Sequence, residues 1–435
     1  MIWRDKKILS WALYDWGNSA FATTVMAAVL PVYYANVAGA GLEEGQATTY
    51  WGYTQTISAL IVACLAPFLG ALADASGRKK RYMLRFAFLG MLASALLATV
   101  GEGAWLLASG VFVMGAVGFA GANIFYDSFL PDIADDDVID SVSSYGYALG
   151  YLGGGVLLGL NLAMISAPGW FGLPDVVTAT RVSFITVAVW WLLFTIPFIK
   201  NIGESKPAET LRPGESIFVV AYGRLCRTFA EIRQYRELFK FLIAFWLFND
   251  GINTIIKMAT IYGADLGIEN KHLLGALLMT QFIGIPCTLV FGWLAGKIGA
   301  RTGLYIALGT YVCITIFATQ MTTGTHFFML AAAVGLVQGG AQSLSRSIYG
   351  SMTPAHKRAE FFSFYGLSAK FSAILGPLLF ATINEVTGSS RWGIFSIIMF
   401  FVLGLILLPL VNIDEGRRLA AAATPPNMTP DENGE

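Results

Sequence analysis

Six charged side chains sit inside stretches that are otherwise apolar. Asp15, Asp127 and Asp250 are acidic; Lys257, Arg346 and Lys370 are basic. A charge at bilayer depth costs at least about 2.5–3.5 kcal/mol on insertion scales, so it faces a cavity and has partners. Three against three predicts mutual pairing in at least one conformation. Such groups can hold a polar solute, carry a proton or latch one helix to another. Enzyme chemistry has no comparable signal. There is no Gly-x-x-x-x-Gly-Lys-Ser/Thr phosphate loop, no His/Glu metal cluster and no nucleophile with a base at recognisable spacing. His272, His326 and His356 are isolated. Cys64, Cys226, Cys287 and Cys313 share no close spacing. No disulfide framework, metal or cofactor is expected. Gly153 to Gly155 follow no strand and read as helix-packing glycines.

Spacing places the polar residues on helix faces. Asp250, Asn253 and Lys257 stand at i, i+3 and i+7. Gln338, Gln342 and Arg346 stand at i, i+4 and i+8. Asn123 and Asp127 are four apart, and Asp15 and Asn18 three apart. Asn253, Lys257, Gln281, Gln338 and Lys370 fall near the middle of their apolar segments and are expected to contact a substrate. Asp250 joins them, as a contact or as a proton carrier. Asp15, Asn18, Asn123, Asp127, Gln342 and Arg346 are assigned to a gate or to coupling, most of them toward one end of their segments. The competing reading is that Asp15 and Asp127 only stabilise helix packing. Trp11, Trp16, Trp190 and Trp191 read as interfacial anchors. Tyr145, Tyr147 and Tyr151 either line a pocket or meet lipid.

These faces need long apolar helices to carry them. Of 435 residues, 56% are hydrophobic and 13% charged, about half the charged fraction of a soluble chain, roughly 25%. That excludes a soluble enzyme, a nucleic-acid binder and a disordered chain. Twelve apolar segments are predicted, near 10–38, 51–73, 82–100, 104–128, 141–167, 180–199, 237–264, 272–296, 302–321, 325–350, 359–385 and 391–411. Each is long enough to span a bilayer, which takes about 20 residues. The first has no clear cleavage site and reads as a span, not a signal peptide. Residues 200–236 are charged, and Phe218, Tyr222, Leu225, Phe229 and Ile232 recur at helical spacing, predicting an amphipathic helix on the membrane surface. The tail, 414–435, is expected to be disordered.

Net charge is zero, yet its distribution is informative. With an even number of spans, 23 of the 28 Lys and Arg residues fall on the side of the termini. Only Arg181, Lys271 and Arg391 fall on the other, and Lys257 and Lys370 lie within segments. This excess predicts cytoplasmic termini and an integral protein of a bacterial inner membrane. The acidic stretch at 131–140 runs against the trend and has no explanation at this level.

The chain also repeats itself. GALADASGRK at 70–79 matches GWLAGKIGAR at 292–301, offset 222. GANIFYDS at 121–128 matches GAQSLSRS at 340–347, and SYGYALGY at 144–151 matches FYGLSAKF at 364–371. WALYDWG at 11–17 matches FWLFNDG at 245–251 at the larger offset of 234, which a longer first loop would explain. The pattern predicts a six-helix bundle at 1–199, a linker at 200–236, a second bundle at 237–413 and the tail. Two parallel repeats with a site between them at mid-membrane are a transporter layout.

The loop GALADASGRKK resembles the signature between spans 2 and 3 of the major facilitator superfamily, with Ala75 where the family usually has a basic residue. There Gly70 and Gly77 would allow close helix approach and a tight turn. Asp74 would accept hydrogen bonds at a helix end, and Arg78 to Arg81 would anchor at anionic headgroups. WALYDWGNSAFATTV, FNDGINTI, GLVQGGAQSLSRS and EFFSFYGLSAKFSAILGPLLF further resemble the vacuole-effluxer, autophagy-related family of facilitators and its bacterial members. The resemblance implies an all-α membrane protein of twelve helices in two pseudo-symmetric bundles. Spans 1, 4, 7 and 10, which carry the polar stripes, would line its cavity. It implies a secondary transporter working by alternating access as a monomer, with protons as a possible partner. An amino acid or related zwitterion moved in the efflux direction is the leading substrate. An organic anion, sugar or lipid-like solute, and a non-transporting receptor or scaffold, are the alternatives.

Overall fold

A computed structural model describes residues 5–76, 78–134, 139–204, 216–354 and 357–423. Long helices dominate them: α1 Lys6–Ala38, α2 Gln46–Ser76, α3 Lys79–Leu97, α4 Trp105–Asp127, α5 Ile139–Ser166 and α6 Val176–Asn201. A linker helix, Ile217–Gln234, follows. Then come α7 Arg236–Asp265, α8 Asn270–Ile298, α9 Ala300–Thr319, α10 Gly324–Ser351, α11 Phe364–Thr387 and α12 Ser390–Leu410. Among the described residues, ten helices are long and apolar enough to cross a membrane. The predicted segments 82–100 and 272–296 are helical too, as α3 and α8. The first of these opens on four charges within seven residues, Lys79 to Arg85.

Local chemistry sets the helix starts. Asp5, Asp175 and Thr323 cap α1, α6 and α10 by accepting a backbone N–H one turn ahead. The capped Thr178 N–H holds the Asp175 carboxyl below the usual carboxylate range. Gly388, at φ +66°, ends α11 in the left-handed region.

Packing follows the sequence repeat. α1 packs on α5 and α6, α3 on α4 and α6, and α2 on α4. Six positions later α7 packs on α11 and α12, α9 on α10 and α12, and α8 on α10. The two sets meet through α2 with α11 and α5 with α8, a pairing that maps onto itself under the same shift.

The repeat is not uniform at α1. After Gly17 α1 continues for 21 residues to Ala38, whereas α7 continues for 14 after Gly251. The following loops have 7 and 4 residues, at 39–45 and 266–269. Most of the larger offset therefore lies inside α1, not in the loop as expected. Phe21–Ala28 and Tyr34–Ala38 are wound as π-helix, a rare form frequently found at functional sites.

Several expectations are corrected. Trp11 and Trp191 are core residues, not interfacial anchors. Trp11 stacks on Tyr126 at 4.5 Å and donates to its carbonyl; Trp191 is fully buried against Phe21. Trp16 and Trp190 stack on each other at 6.2 Å. A helix, Ile413–Ala422, occupies the start of the tail, with Asn412 as its cap and Gly416 close against Met352. Gly70 has no close neighbour, since a methyl there would meet nothing within 4 Å. Lys79 and Lys80 point into protein, not to headgroups. Buried Lys79 donates to the Ser128 carbonyl and Asp132, both at 3.2 Å. Lys80 donates to the Ile199 and Ile202 carbonyls at the end of α6, each at 2.6 Å. The equivalent of Lys79 in the repeat, Arg301, reaches the Leu408 and Pro409 carbonyls at the end of α12. Asp132 thereby gives part of the acidic stretch a role. The roles expected for Asp74, Gly77 and Tyr147, the position of His356, the acidic residues Asp135 to Asp137, the side chain of Asp140 and the tail from 424 lie outside the described residues.

Candidate functional site

At the end of the molecule away from the termini, the two sets of helices are sealed together. The Trp51 indole donates to the Lys257 carbonyl at 3.2 Å, and Thr260 donates to the Ala27 carbonyl at 2.6 Å. Asn384 on α11 donates to the Gly45 carbonyl and the Thr49 hydroxyl. Tyr53 donates to Glu385, and Asn36 to Asn270 at 3.3 Å. Gly52 makes the closest backbone approach, since a methyl there would lie 2.8 Å from the Ala381 methyl.

Toward the terminal end the helices part. Asp127, on the last turn of α4, and Gln342 and Arg346 on α10 are all exposed. The charges that act on Asp127 are those of Lys370 on α11 and Arg346 on α10; Asp15 in turn feels Asp127. One carboxylate of the first six helices thus lies within electrostatic reach of two cations of the last six. Among the described residues, none of the six intramembrane charges lies within ion-pair distance of an opposite one. The expected mutual pairing is absent from this conformation.

Asp15, Asn18 and Asn123, which the sequence assigned to a gate or to coupling, hold helices within the first six. Asn18 is buried and donates to Asn123 at 2.5 Å, joining α1 to α4. Asp15 accepts from Ser19 at 3.2 Å and packs on Gly150, where a methyl would come within 2.8 Å of its carboxylate. Gly153 and Gly154 press α5 onto α1 at Trp16 and Thr23, while Gly155 meets nothing. Tyr145 is half-buried and Tyr151 is 45% exposed.

Asp250 has a role that its depth alone did not suggest. α11 is interrupted between Phe371 and Leu375. The Leu375 and Gly376 N–H groups donate to the two Asp250 oxygens at 3.0 and 2.9 Å. The carboxylate of α7 therefore caps the second part of α11 from outside it. Asn249 donates to Ser372 at 2.6 Å, holding the other lip of the break. A methyl at Gly376 would run into the Thr254 hydroxyl, so only glycine lets the cap form. Asn249, Ser372 and Gly376 were missed by inspection of charge alone. For Ser372 and Gly376 the signal is the small residues Ser368, Ala369, Ser372, Ala373 and Gly376 interspersed along an apolar segment; Asn249 carries none beyond its place beside Asp250.

The mid-segment residues remain partly accessible. Lys257, Lys370, Gln281 and Gln338 are half-buried. Lys257 feels Asp250 two turns away without touching it. Asn253 donates to the Asn249 carbonyl of its own helix at 2.9 Å.

Residues 39–421 match the family model described as vacuole effluxer Atg22 like. The chain belongs to this family. It is 39% identical over 404 residues to the uncharacterized MFS-type transporter YxiO of Bacillus subtilis strain 168, spanning 92% of this chain and 94% of that protein. Autophagy-related protein 22-1 of Penicillium rubens is 23% identical over 487 residues, covering 90% of this chain and 81% of its own. Among solved structures, a D-xylose-proton symporter superposes with a TM-score of 0.67 at 15% identity, covering 94% and 98% of the two chains. Membership makes the chain an integral membrane transporter of the major facilitator type, and the superposition shows the same fold.

Proposed function

We propose that this family member moves a small polar solute, an amino acid or related zwitterion, by alternating access of two six-helix bundles built from twelve spans. The observation that carries this reading is Asp127 within electrostatic reach of Lys370 and Arg346, at the end of the molecule opposite the seal between the two sets of helices. A zwitterion satisfies both signs at once. Its carboxylate takes the two cations and its ammonium takes Asp127, replacing long-range attraction by charge-assisted hydrogen bonds. Gln338, Gln281, Asn253 and Lys257, half-buried near mid-segment, are the further contacts of this reading. The Lys and Arg excess assigns the terminal end to the cytoplasm, so the conformation described is the inward-facing one. Reversal would bring Asp127 and Arg346 together as the inner gate. Efflux would load the solute in this state, and protons exchanged at Asp127 or Asp15 would drive its release outside.

A second reading rests on Asp250. Because that carboxylate is committed to α11, Lys257, Arg346 and Lys370 outnumber Asp15 and Asp127, which favours an organic anion. Counterflow in proteoliposomes separates the two. Exchange of labelled amino acids, sensitive to Lys370→Ala and to an imposed pH gradient, supports the zwitterion. Exchange of dicarboxylates alone supports the anion, and no exchange of either overturns both.

A further inference from the structure

A cavity of about 650 Å³ lies between the linker helix, α7, α11 and α12. Its walls come from the linker helix (Leu225, Cys226, Phe229), from α7 and α11, and from Phe400 of α12. The lining is almost wholly apolar, and Asp250 and the α11 break stand at one end of it. It opens to the membrane, since Cys226 is exposed and Ile243 and Leu375 are 36% and 58% exposed.

Both walls end in an arginine. On α7 Arg236, Lys240, Ile243, Leu247 and Asp250 form one stripe, at i, i+4, i+7, i+11 and i+14. On the linker helix Arg233 continues the stripe of Cys226 and Phe229. Arg233 and Arg236 are exposed, and neither makes a hydrogen bond or ion pair among the described residues. Lys240 is already engaged, with Glu237 and the Leu410 carbonyl. From Arg236 to Asp250 the α7 axis rises about 21 Å. One leaflet of hydrocarbon, half of about 30 Å, and its headgroup layer fill that length.

We infer that this cavity seats one anionic phospholipid, with an acyl chain between the linker helix, α7 and α11 and its phosphate on Arg233 and Arg236. The apolar lining selects a hydrocarbon chain, and the two unpaired guanidinium groups at its rim select a negative headgroup. A free anion would have no use for the cavity, and a neutral lipid none for the arginines. The chain end reaches Ser372, Ile374 and Leu375, so the lipid lies against the break that Asp250 caps.

Photo-crosslinking in nanodiscs tests this. The full chain is embedded in phosphatidylcholine doped with phosphatidylglycerol carrying a diazirine on one acyl chain, and separately with the same probe on phosphatidylcholine. Adducts should concentrate on the peptides holding 225–229 and 243–250, with the glycerol lipid favoured roughly tenfold. Arg233→Gln with Arg236→Gln should remove that preference. Leu247→Trp, which narrows the cavity at the middle of its α7 wall, should reduce the adducts there and leave labelling of other lipid-facing helices unchanged. Equal labelling by the two lipids, or labelling spread evenly over the apolar surface, overturns the inference. Because that comparison uses the unaltered chain, it stands whether or not a variant folds.

Discussion

Asp250 shows how one residue can be read correctly for depth while part of what its oxygens do goes unseen in the sequence. Its position predicted a buried carboxylate, and it is buried. What position could not show is that its oxygens are spent on the Leu375 and Gly376 N–H groups of another helix. Removing a cap of this kind costs about 0.5–2 kcal/mol. Asp250→Ala should therefore lower the melting temperature in detergent by a few degrees and reduce transport. Asp250→Asn, which keeps one acceptor, should lose less of both. A fully stable, fully active Asp250→Ala protein would show that the cap is dispensable. Asp127 is the opposite case, a carboxylate exposed and unbonded in this conformation. If it meets Arg346 when the inner side closes, Asp127→Arg and Arg346→Asp should each abolish transport. The double swap should recover a measurable part of it. Failure of the swap, with both proteins folded, would remove this pair from the gate.

At the scale of elements, the helices were legible because apolar runs of this length have few alternatives in a membrane, where every backbone group must be bonded internally. The order of the polar stripes along α1, α4, α7 and α10 was legible for the same reason: a stripe is a periodicity. The contacts between helices were not. Lys79 and Lys80 look like headgroup anchors in sequence because nothing local marks the Ser128 carbonyl or the end of α6 as their targets. The tryptophans were misread because an indole suits an interface and a tight aromatic core equally well. The seal between α2 and α11 depends on Gly52, whose missing side chain gives no signal at all. Gly52→Val should wedge these helices apart at Ala381 and Pro377. The expected result is loss of transport with the fold retained. A cysteine placed at Gln338 should then react with a membrane-impermeant thiol reagent added from the outer side. Unchanged reactivity would mean that the seal tolerates the added volume.

Under the alternating access proposed above, the stability of the whole molecule should respond to whatever solute binds between the bundles. A solute at about 100 times its Kd adds about 2.7 kcal/mol to the folded state. Amino acids that pass the counterflow test should raise the melting temperature, and Lys370→Ala should cancel the rise. A rise that survives this substitution would place the solute elsewhere. The same two-state character gives meaning to the π-wound turns of α1. The second of them, Tyr34–Ala38, lies in the extra length that sets α1 apart from α7. Each residue of an α-helix advances the side-chain direction by about 100°, so a single-residue deletion in Phe21–Ala28 would be a twist as well as a shortening. Asp15 and Asn18, below the deletion, would turn off Gly150 and Asn123. Thr260, above it, would lose the carbonyl of Ala27. The π-wound stretch thus acts as a phase adjuster, keeping both ends of one long helix in register with different neighbours. A chain with the same composition, shorter there by one residue, would be out of step with itself.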